Sequence, residues 1–362
     1  MDIKVNTKIL HTALQSLERI IGKNVSLPIL TTILFKTEKN KLKLASTNLE
    51  MGEIFFIPAK IEKEGEVAVP CRVISALIGS LNSETVELSA QKETLFVKTD
   101  DLKTKILGMK TDEFPIIPEI VPESTITLPA QESRHALASV VDAVSLSESR
   151  PELTGVYMQC NKKEISFAAT DSFRLSEYIM KCDCDGGGEY IIPRSAAIEI
   201  MRLLDTTEPT VTISLGLNQI GIKNESFVFI SRLIEGKYPN YKKIIPERYV
   251  SKVSVDRSDM LRRISTASIF SSNIADVTLS TNQSGIIISS KNVDKGEYTT
   301  AIPGTVEGKN FSISLNYQYI LDGIKIFSSP VIDFLFTGEG SPFMLRSQED
   351  SGATYVIMPL RT

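Results

Sequence analysis

Apolar residues return at helical spacing at the start of three stretches of the chain. Leu10, Leu14, Leu17 and Ile21 form one set, Leu137, Val140, Val141 and Val144 a second, and Met260, Leu261 and Ile264 a third. Steps of three and four residues place each set on one face, which predicts three amphipathic helices. Each stretch predicts a second helix further along. In GEVAVPCRVISALIGSL and GEYIIPRSAAIEIMRLL it follows a short strand and a proline, whose missing amide suits a helix start. In FSISLNYQYILDGIKIF the predicted N-cap is Asn316. Segments such as TVELSAQKETLFVKT and TVTISLGLNQIGIKN alternate apolar and polar residues between polar turns, which predicts antiparallel strands.

These patterns are three copies of one unit. LKLASTNLEMGE, ISFAATDSFRLSE and IIISSKNVDKGE each read as a strand, a few small residues, then Asn48, Asp171 or Asn292. The anchor recurs after 123 and then 121 residues, close to a third of the 362-residue chain. A glutamate follows it at Glu53, Glu177 or Glu297, which reads as one extra residue in the second copy. Asn and Asp both bond their local backbone, so the anchor is expected to cap a turn. Proline-rich connectors at 114–124 and 238–251 separate the copies. The expected fold is α+β: three domains at 1–122, 123–250 and 251–362, each with two helices and about eight strands in antiparallel sheets.

Composition narrows the function. Lys and Arg number 40 against 44 Asp and Glu, a net charge of −4, so bulk positive charge does not hold this chain on nucleic acid. The predicted helices carry slightly more base than acid, which leaves the acidic excess on the rest and would suit a local phosphate-facing surface. No apolar run approaches the ~18–20 residues of a membrane span. The N-terminus MDIKVNTKIL lacks a basic-then-apolar export pattern, so a cytoplasmic location is expected. His11 and His135 stand far apart, and Cys182 with Cys184 lack a zinc-knuckle spacing, so neither a metal nor a cofactor is expected.

The order of motifs over the whole chain resembles the bacterial DNA polymerase III beta subunit family, the sliding clamps. They are SLPIL at 26–30, TNLEMG at 47–52, DEFP at 112–115, ATDSFRL at 169–175, IEGKYPNY at 234–241 and a terminal YVIMPLRT. The resemblance implies a non-catalytic processivity factor. Two chains would close head to tail into a six-domain ring, with duplex DNA passing through a hole lined by helices. It also implies a peptide-binding groove for the replicative polymerase and the clamp loader, whose short peptides carry Leu and Phe anchors. Mapped onto this sequence, the groove takes Leu153, Thr170, Phe173, Arg174 and Leu175, then Pro239, Lys243, Ile244 and Pro342. The tail adds Val356, Ile357, Met358, Pro359, Leu360 and Arg361. The DNA contacts implied are Lys23, Arg72, Arg150 and Arg194, and the ring interface is expected where Ile106 meets the neighbour's Ile269 and Phe270.

Four positions depart from the family pattern. Ser172 and Phe173 stand where Gly-His is common, Lys243 where arginine is usual, and Thr104 where an aromatic could stand. The competing readings are an enzyme using Asp171 and Glu177 as a carboxylate pair, and a scaffold that never encircles DNA. No phosphate-loop or dinucleotide glycine pattern supports the enzyme.

Overall fold

The computed structural model describes residues 1–22, 27–182, 187–205 and 209–360. The repeat is visible in the element order. The first copy runs β1 Asp2–Asn6, α1 Thr7–Ile20, β2 Thr32–Glu38, β3 Lys41–Thr47, β4 Met51–Lys63, β5 Glu66–Pro70, α2 Cys71–Gly79, β6 Thr85–Gln91, β7 Thr94–Lys98 and β8 Lys103–Leu107. The second runs β9 Ser124–Pro129, α3 Ala130–Val140, β10 Gly155–Asn161, β11 Glu164–Thr170, β12 Arg174–Lys181, β13 Gly188–Pro193, α4 Arg194–Asp205, β14 Thr210–Leu215, β15 Gln219–Lys223 and β16 Phe227–Arg232. The third runs β17 Ser251–Asp256, α5 Arg257–Ala267, β18 Asp276–Asn282, β19 Gly285–Asn292, β20 Gly296–Gly308, β21 Ser312–Asn316, α6 Tyr317–Lys325, β22 Val331–Phe336, β23 Phe343–Arg346 and β24 Ala353–Ile357. Among the described residues each copy thus has two helices and eight strands, in an α+β fold.

Contacts group the chain into two compact units, residues 1–127 with 211–232 and residues 128–210 with 233–362. The last strands of the second copy belong to the first unit because β16 pairs along β4. In that unit the sheet runs β8-β7-β6-β1-β4-β16-β15-β14, and β3 pairs along the other edge of β4. Helices α1 and α2 pack together, with Leu10, Leu14 and Leu17 buried against Phe35, Leu44 and Val86. Asn6 caps α1 by accepting from the Ile9 amide, and the helix ends at Ile20. Ile21, expected on the helix face, is instead the C-cap, and Ile20 takes the buried position.

In the second unit the sheet order is β13-β10-β11-β12-β24-β23-β22-β17-β20-β19-β18-β21, with α3 packed on α4 and α5 on α6. Helix α3 stops at Val140 and tightens into a 3-10 turn over Val141–Ala143. Val141 and Val144 are therefore buried beyond the helix rather than along it. Asn316 caps α6 by accepting from the Gln318 amide, as the sequence predicts.

The anchor residues cap turns in all three copies. The Asn48 carboxamide accepts the amides of Glu50 and Met51, Asp171 those of Phe173 and Arg174, and Asn292 those of Asp294 and Lys295. The first two turns agree bond for bond. Thr47 donates to the Met51 carbonyl and accepts from Leu49 N, while Thr170 donates to the Arg174 carbonyl and accepts from Ser172 N. Leu49 and Ser172 both hold a left-handed backbone, with φ of 76° and 80°. Ser172 thus keeps a conformation that glycine adopts at no steric cost.

The turn lengths correct the placing of the glutamates. Thr47 pairs with Gly52 and Thr170 with Leu175, whereas Lys291 pairs with Glu297, so the extra residue is in the third copy. Glu53 corresponds in strand register to Ser176 and Tyr298, each opposite the same inward-facing position of the preceding strand. Glu177 lies one residue further on and faces the other way.

Candidate functional site

The mapped residues gather around the start of β12, where β24 pairs beside it with Arg174 opposite Ile357 and Leu175 opposite Val356. Just past β24 the Met358 amide donates to the Phe173 carbonyl at 2.8 Å, which holds the tail across the Asp171 turn. A cavity of about 260 Å³ opens there, lined by Thr170, Ser172, Arg174, Leu175, Ile244, Val356 and Met358. That volume is below the ~300–1,000 Å³ of small-ligand sites and suits one or two side-chain anchors of a peptide.

Its floor is rigid. Leu153, Leu175 and Val356 are buried in a cluster with Tyr157, Tyr238 and Tyr241. Tyr157 stacks on Tyr238 with ring centroids 4.7 Å apart, and the Tyr241 hydroxyl donates to buried Glu177 at 2.8 Å. Glu177 therefore supports the floor, and Asp171 is engaged by Arg174, so the two carboxylates of the enzyme reading serve separate structural bonds. Burial, and for Tyr241 also Glu177, pushes the hydroxyls of Tyr238 and Tyr241 well above the ordinary tyrosine range, and burial with Glu189 pushes Tyr157 up to about 12. A raised folded-state pKa means that stability is complete below the unfolded value of about 10 and is lost as pH rises toward the folded values. The urea midpoint is accordingly expected to hold up to about pH 9.5 and to fall by about pH 11, with a shallower fall in Tyr238→Phe; an unchanged midpoint at about pH 11 would contradict this.

Strand phase divides the mapped tail. Val356 and Met358 face the cavity, while Ile357 is buried in the core of the third copy with Phe334 and Phe343. The Leu360 amide bonds Ser314 of β21, and Pro359 and Leu360 are half-buried outside the cavity lining. Phe173 is 62% exposed and joins the site through its carbonyl, not its ring. Ile244 forms one wall at 43% exposure beside exposed Lys243, while Pro239 and Pro342 are half-buried off the lining. Arg361 lies outside the described residues.

Arg174, mapped to the groove, is held by partners within the fold. Its guanidinium bonds Asp171 at 2.9 Å and Asp322 of α6 at 2.6 Å, reaches the Tyr355 hydroxyl at 3.5 Å, and lies 4.6 Å over the Tyr319 ring. Arg174 lines the cavity, and with 13% of its side chain exposed its guanidinium is engaged by these partners.

Each described residue among the expected DNA contacts is placed by its own surroundings. Arg72 is exposed on α2, Arg150 pairs with Glu152 at 3.2 Å, and Arg194 at the start of α4 pairs with Asp142 at 3.5 Å. Lys23 and Cys184 lie outside the described residues. Of the expected interface residues, Ile269 is 59% exposed and Phe270 stacks on Tyr298, but Ile106 points into its own core and is 6% exposed. The exposed apolar residue of that strand is Leu107, at 70%, which letter-by-letter mapping missed and the alternation of β8 reveals.

Among the described residues no cluster of three or more His, Cys, Asp or Glu is placed to hold a metal, and no helix is long and apolar enough to cross a membrane. Burial, followed by Glu18, pushes the Cys71 thiol up to about 12, far too basic for a nucleophile at neutral pH.

Three family models of the DNA polymerase III beta subunit match in order: the N-terminal domain over 1–118, the central domain over 127–240 and the C-terminal domain over 242–361. The chain belongs to the DNA polymerase III beta subunit family. It is 28% identical to the beta sliding clamp of Bacillus subtilis over 97% of both chains, and 28% identical to that of Staphylococcus aureus over 100% of both. Among solved structures it matches the Bacillus subtilis sliding clamp with a TM-score of 0.95 at 27% identity, covering 100% of this chain and 99% of that one. The Thermotoga maritima beta subunit matches with a TM-score of 0.94 at 25% identity and the same coverage. As a beta subunit the chain is a processivity factor of DNA replication and not an enzyme.

Proposed function

We propose that this beta subunit acts as a homodimeric ring of three-domain chains, with domains at 1–122, 123–250 and 251–362, that encircles duplex DNA without reading its sequence in the cytoplasm. The replicative polymerase and the clamp loader dock short Leu/Phe peptides in the groove at β12. The observation that carries the docking reading is the apolar cavity of about 260 Å³ walled by Leu175, Ile244, Val356 and Met358. Each buried apolar anchor contributes roughly 1.5–3 kcal/mol, so two anchors supply about 3–6 kcal/mol, a Kd of order 100 micromolar or weaker once the peptide is ordered. Methionine at the rim suits a site that repacks around several partners.

On the DNA side, Lys23, Arg72, Arg150 and Arg194 would supply weak phosphate contacts. The Arg150–Glu152 and Arg194–Asp142 pairs are no barrier, because exposed ion pairs are worth only ~0–1 kcal/mol and a phosphate displaces the carboxylate readily. Weak contacts fit a ring that must slide. Fluorescence polarisation of a labelled peptide with Leu and Phe anchors tests the groove directly. Saturable binding with a Kd of order 100 micromolar is expected, and no binding at a tenfold higher concentration would contradict it.

A further inference from the structure

Unit 1 repeats the frame of the groove where β4 pairs with β16. Gly52 stands opposite Ile230 there, as Leu175 stands opposite Val356 in unit 2, so Arg232 takes the place of Met358. The Arg232 amide donates to the Glu50 carbonyl at 2.9 Å, the counterpart of the 2.8 Å bond from Met358 to Phe173. The Asn48 and Asp171 turns agree bond for bond, so the two places share one backbone frame. A cavity of about 450 Å³ opens in the unit 1 frame, and Thr47, Leu49, Met51, Gly52, Ile230 and Arg232 line it. These stand for Thr170, Ser172, Arg174, Leu175, Val356 and Met358, which is the whole lining of the groove except Ile244.

The side chains change what the frame can hold. Gly52 removes the Leu175 side chain from the floor, and Ile117 of the connector lies there instead. A Cβ on Gly52 would come within 2.7 Å of the Ile117 Cγ2. The volume is within the ~300–1,000 Å³ of small-ligand sites and accepts a whole aromatic side chain. Leu49 and Ile116 on the lining are 48% and 92% exposed, apolar surface that an occupant would cover. At the rim Glu50 and Arg232 replace Phe173 and Met358; both are exposed, and neither forms an ion pair among the described residues.

We propose that this cavity is a second peptide-docking site, which takes an extended segment of a partner protein with one aromatic anchor between an acidic and a basic residue. The proposal rests on the groove reading for its ligand class and goes beyond it in place and in chemistry. The aromatic ring covers Leu49 and Ile116 above Ile117, the acid meets Arg232 and the base meets Glu50. Glu50 repels a purely acidic segment, and an uncharged one gains nothing at this rim. The two cavities therefore select different segments through one repeated frame.

The test is methyl NMR of the full chain with labelled isoleucine δ1 methyls, titrated with a hexapeptide in which one Phe stands between Asp and Lys. Ile117 and Ile230 report this cavity, and Ile244 reports the groove. Saturating shifts at Ile117 and Ile230 are expected, with a Kd of order millimolar for a single anchor, and Met358→Asp should leave them in place. Leu49→Asp is expected to abolish them while Ile244 still responds to a Leu/Phe peptide. Aspartate tolerates the left-handed backbone at this exposed position, so the fold is kept. Arg232→Glu is expected to weaken the hexapeptide by about fivefold. Shifts confined to Ile244, shifts at Ile117 that survive Leu49→Asp, or an unchanged Kd in Arg232→Glu would overturn the second site and leave the groove standing. Silence at Ile244 with the Leu/Phe peptide, beside hexapeptide shifts at Ile117, would sustain the second site and overturn the groove.

Discussion

Met358→Asp is expected to weaken binding of a Leu/Phe-anchored peptide by roughly a hundredfold, about 2.7 kcal/mol, with solution mass and thermal unfolding unchanged. Met358 lies half-buried at the cavity rim, and the hydrogen bond from its amide to the Phe173 carbonyl survives the substitution. The carboxylate would face Leu175 and Val356, where an apolar anchor must otherwise displace water, and an uncompensated charge there opposes that burial. Ile244→Asp on the opposite wall is expected to act in the same direction and more weakly, because Ile244 is 43% exposed. Fluorescence polarisation measures both. Unaltered affinity in Met358→Asp would place the peptide elsewhere.

Arg174→Ala is expected to lower the unfolding free energy by about 2–4 kcal/mol, more than any single exposed ion pair would. The guanidinium joins the Asp171 turn to Asp322 of α6 and the Tyr355 hydroxyl, and removal leaves Asp171 to its turn amides and Asp322 to Lys325 at 3.4 Å, two partly shielded carboxylates without their nearest cation. Arg174→Lys is expected to recover only part of the loss, since an ammonium satisfies one carboxylate at a time and stacks less well over Tyr319. The readout is the midpoint of chemical denaturation. A midpoint equal to that of the parent chain would show that the Arg174 network contributes nothing. Peptide affinity should fall little in Arg174→Lys, which keeps the aliphatic chain at the cavity wall.

The architecture was legible in the sequence to a considerable depth because amphipathic period, capping residues and threefold recurrence all agree. Leu10, Leu14 and Leu17 mark the buried face of α1, Asn316 caps α6, and Asn48, Asp171 and Asn292 cap turns in all three copies. What could not be read was direction within a strand. Mapping took the tail from Val356 to Arg361 as one set, but the two-residue period sends Ile357 into the core while Val356 and Met358 face the cavity. The same phase error chose Ile106 over exposed Leu107.

The destination of a charge is hidden in the sequence for a related reason. Arginine in a motif signals a cation but not where its long side chain ends, and Arg174 turns back onto two aspartates, one of them 148 residues away in sequence. The glutamates were matched as letters, and only strand pairing showed that Tyr298, not Glu297, holds the place of Glu53.

Encirclement is tested most directly by retention on DNA of defined topology. The chain would be loaded onto a nicked plasmid circle with its clamp loader and ATP, then passed through gel filtration at high salt, where weak phosphate contacts are screened. The account predicts that the protein stays with the circle and is released when a restriction enzyme linearises it. Loss from the circle in high salt, or equal retention on linear DNA, would contradict a ring held by topology.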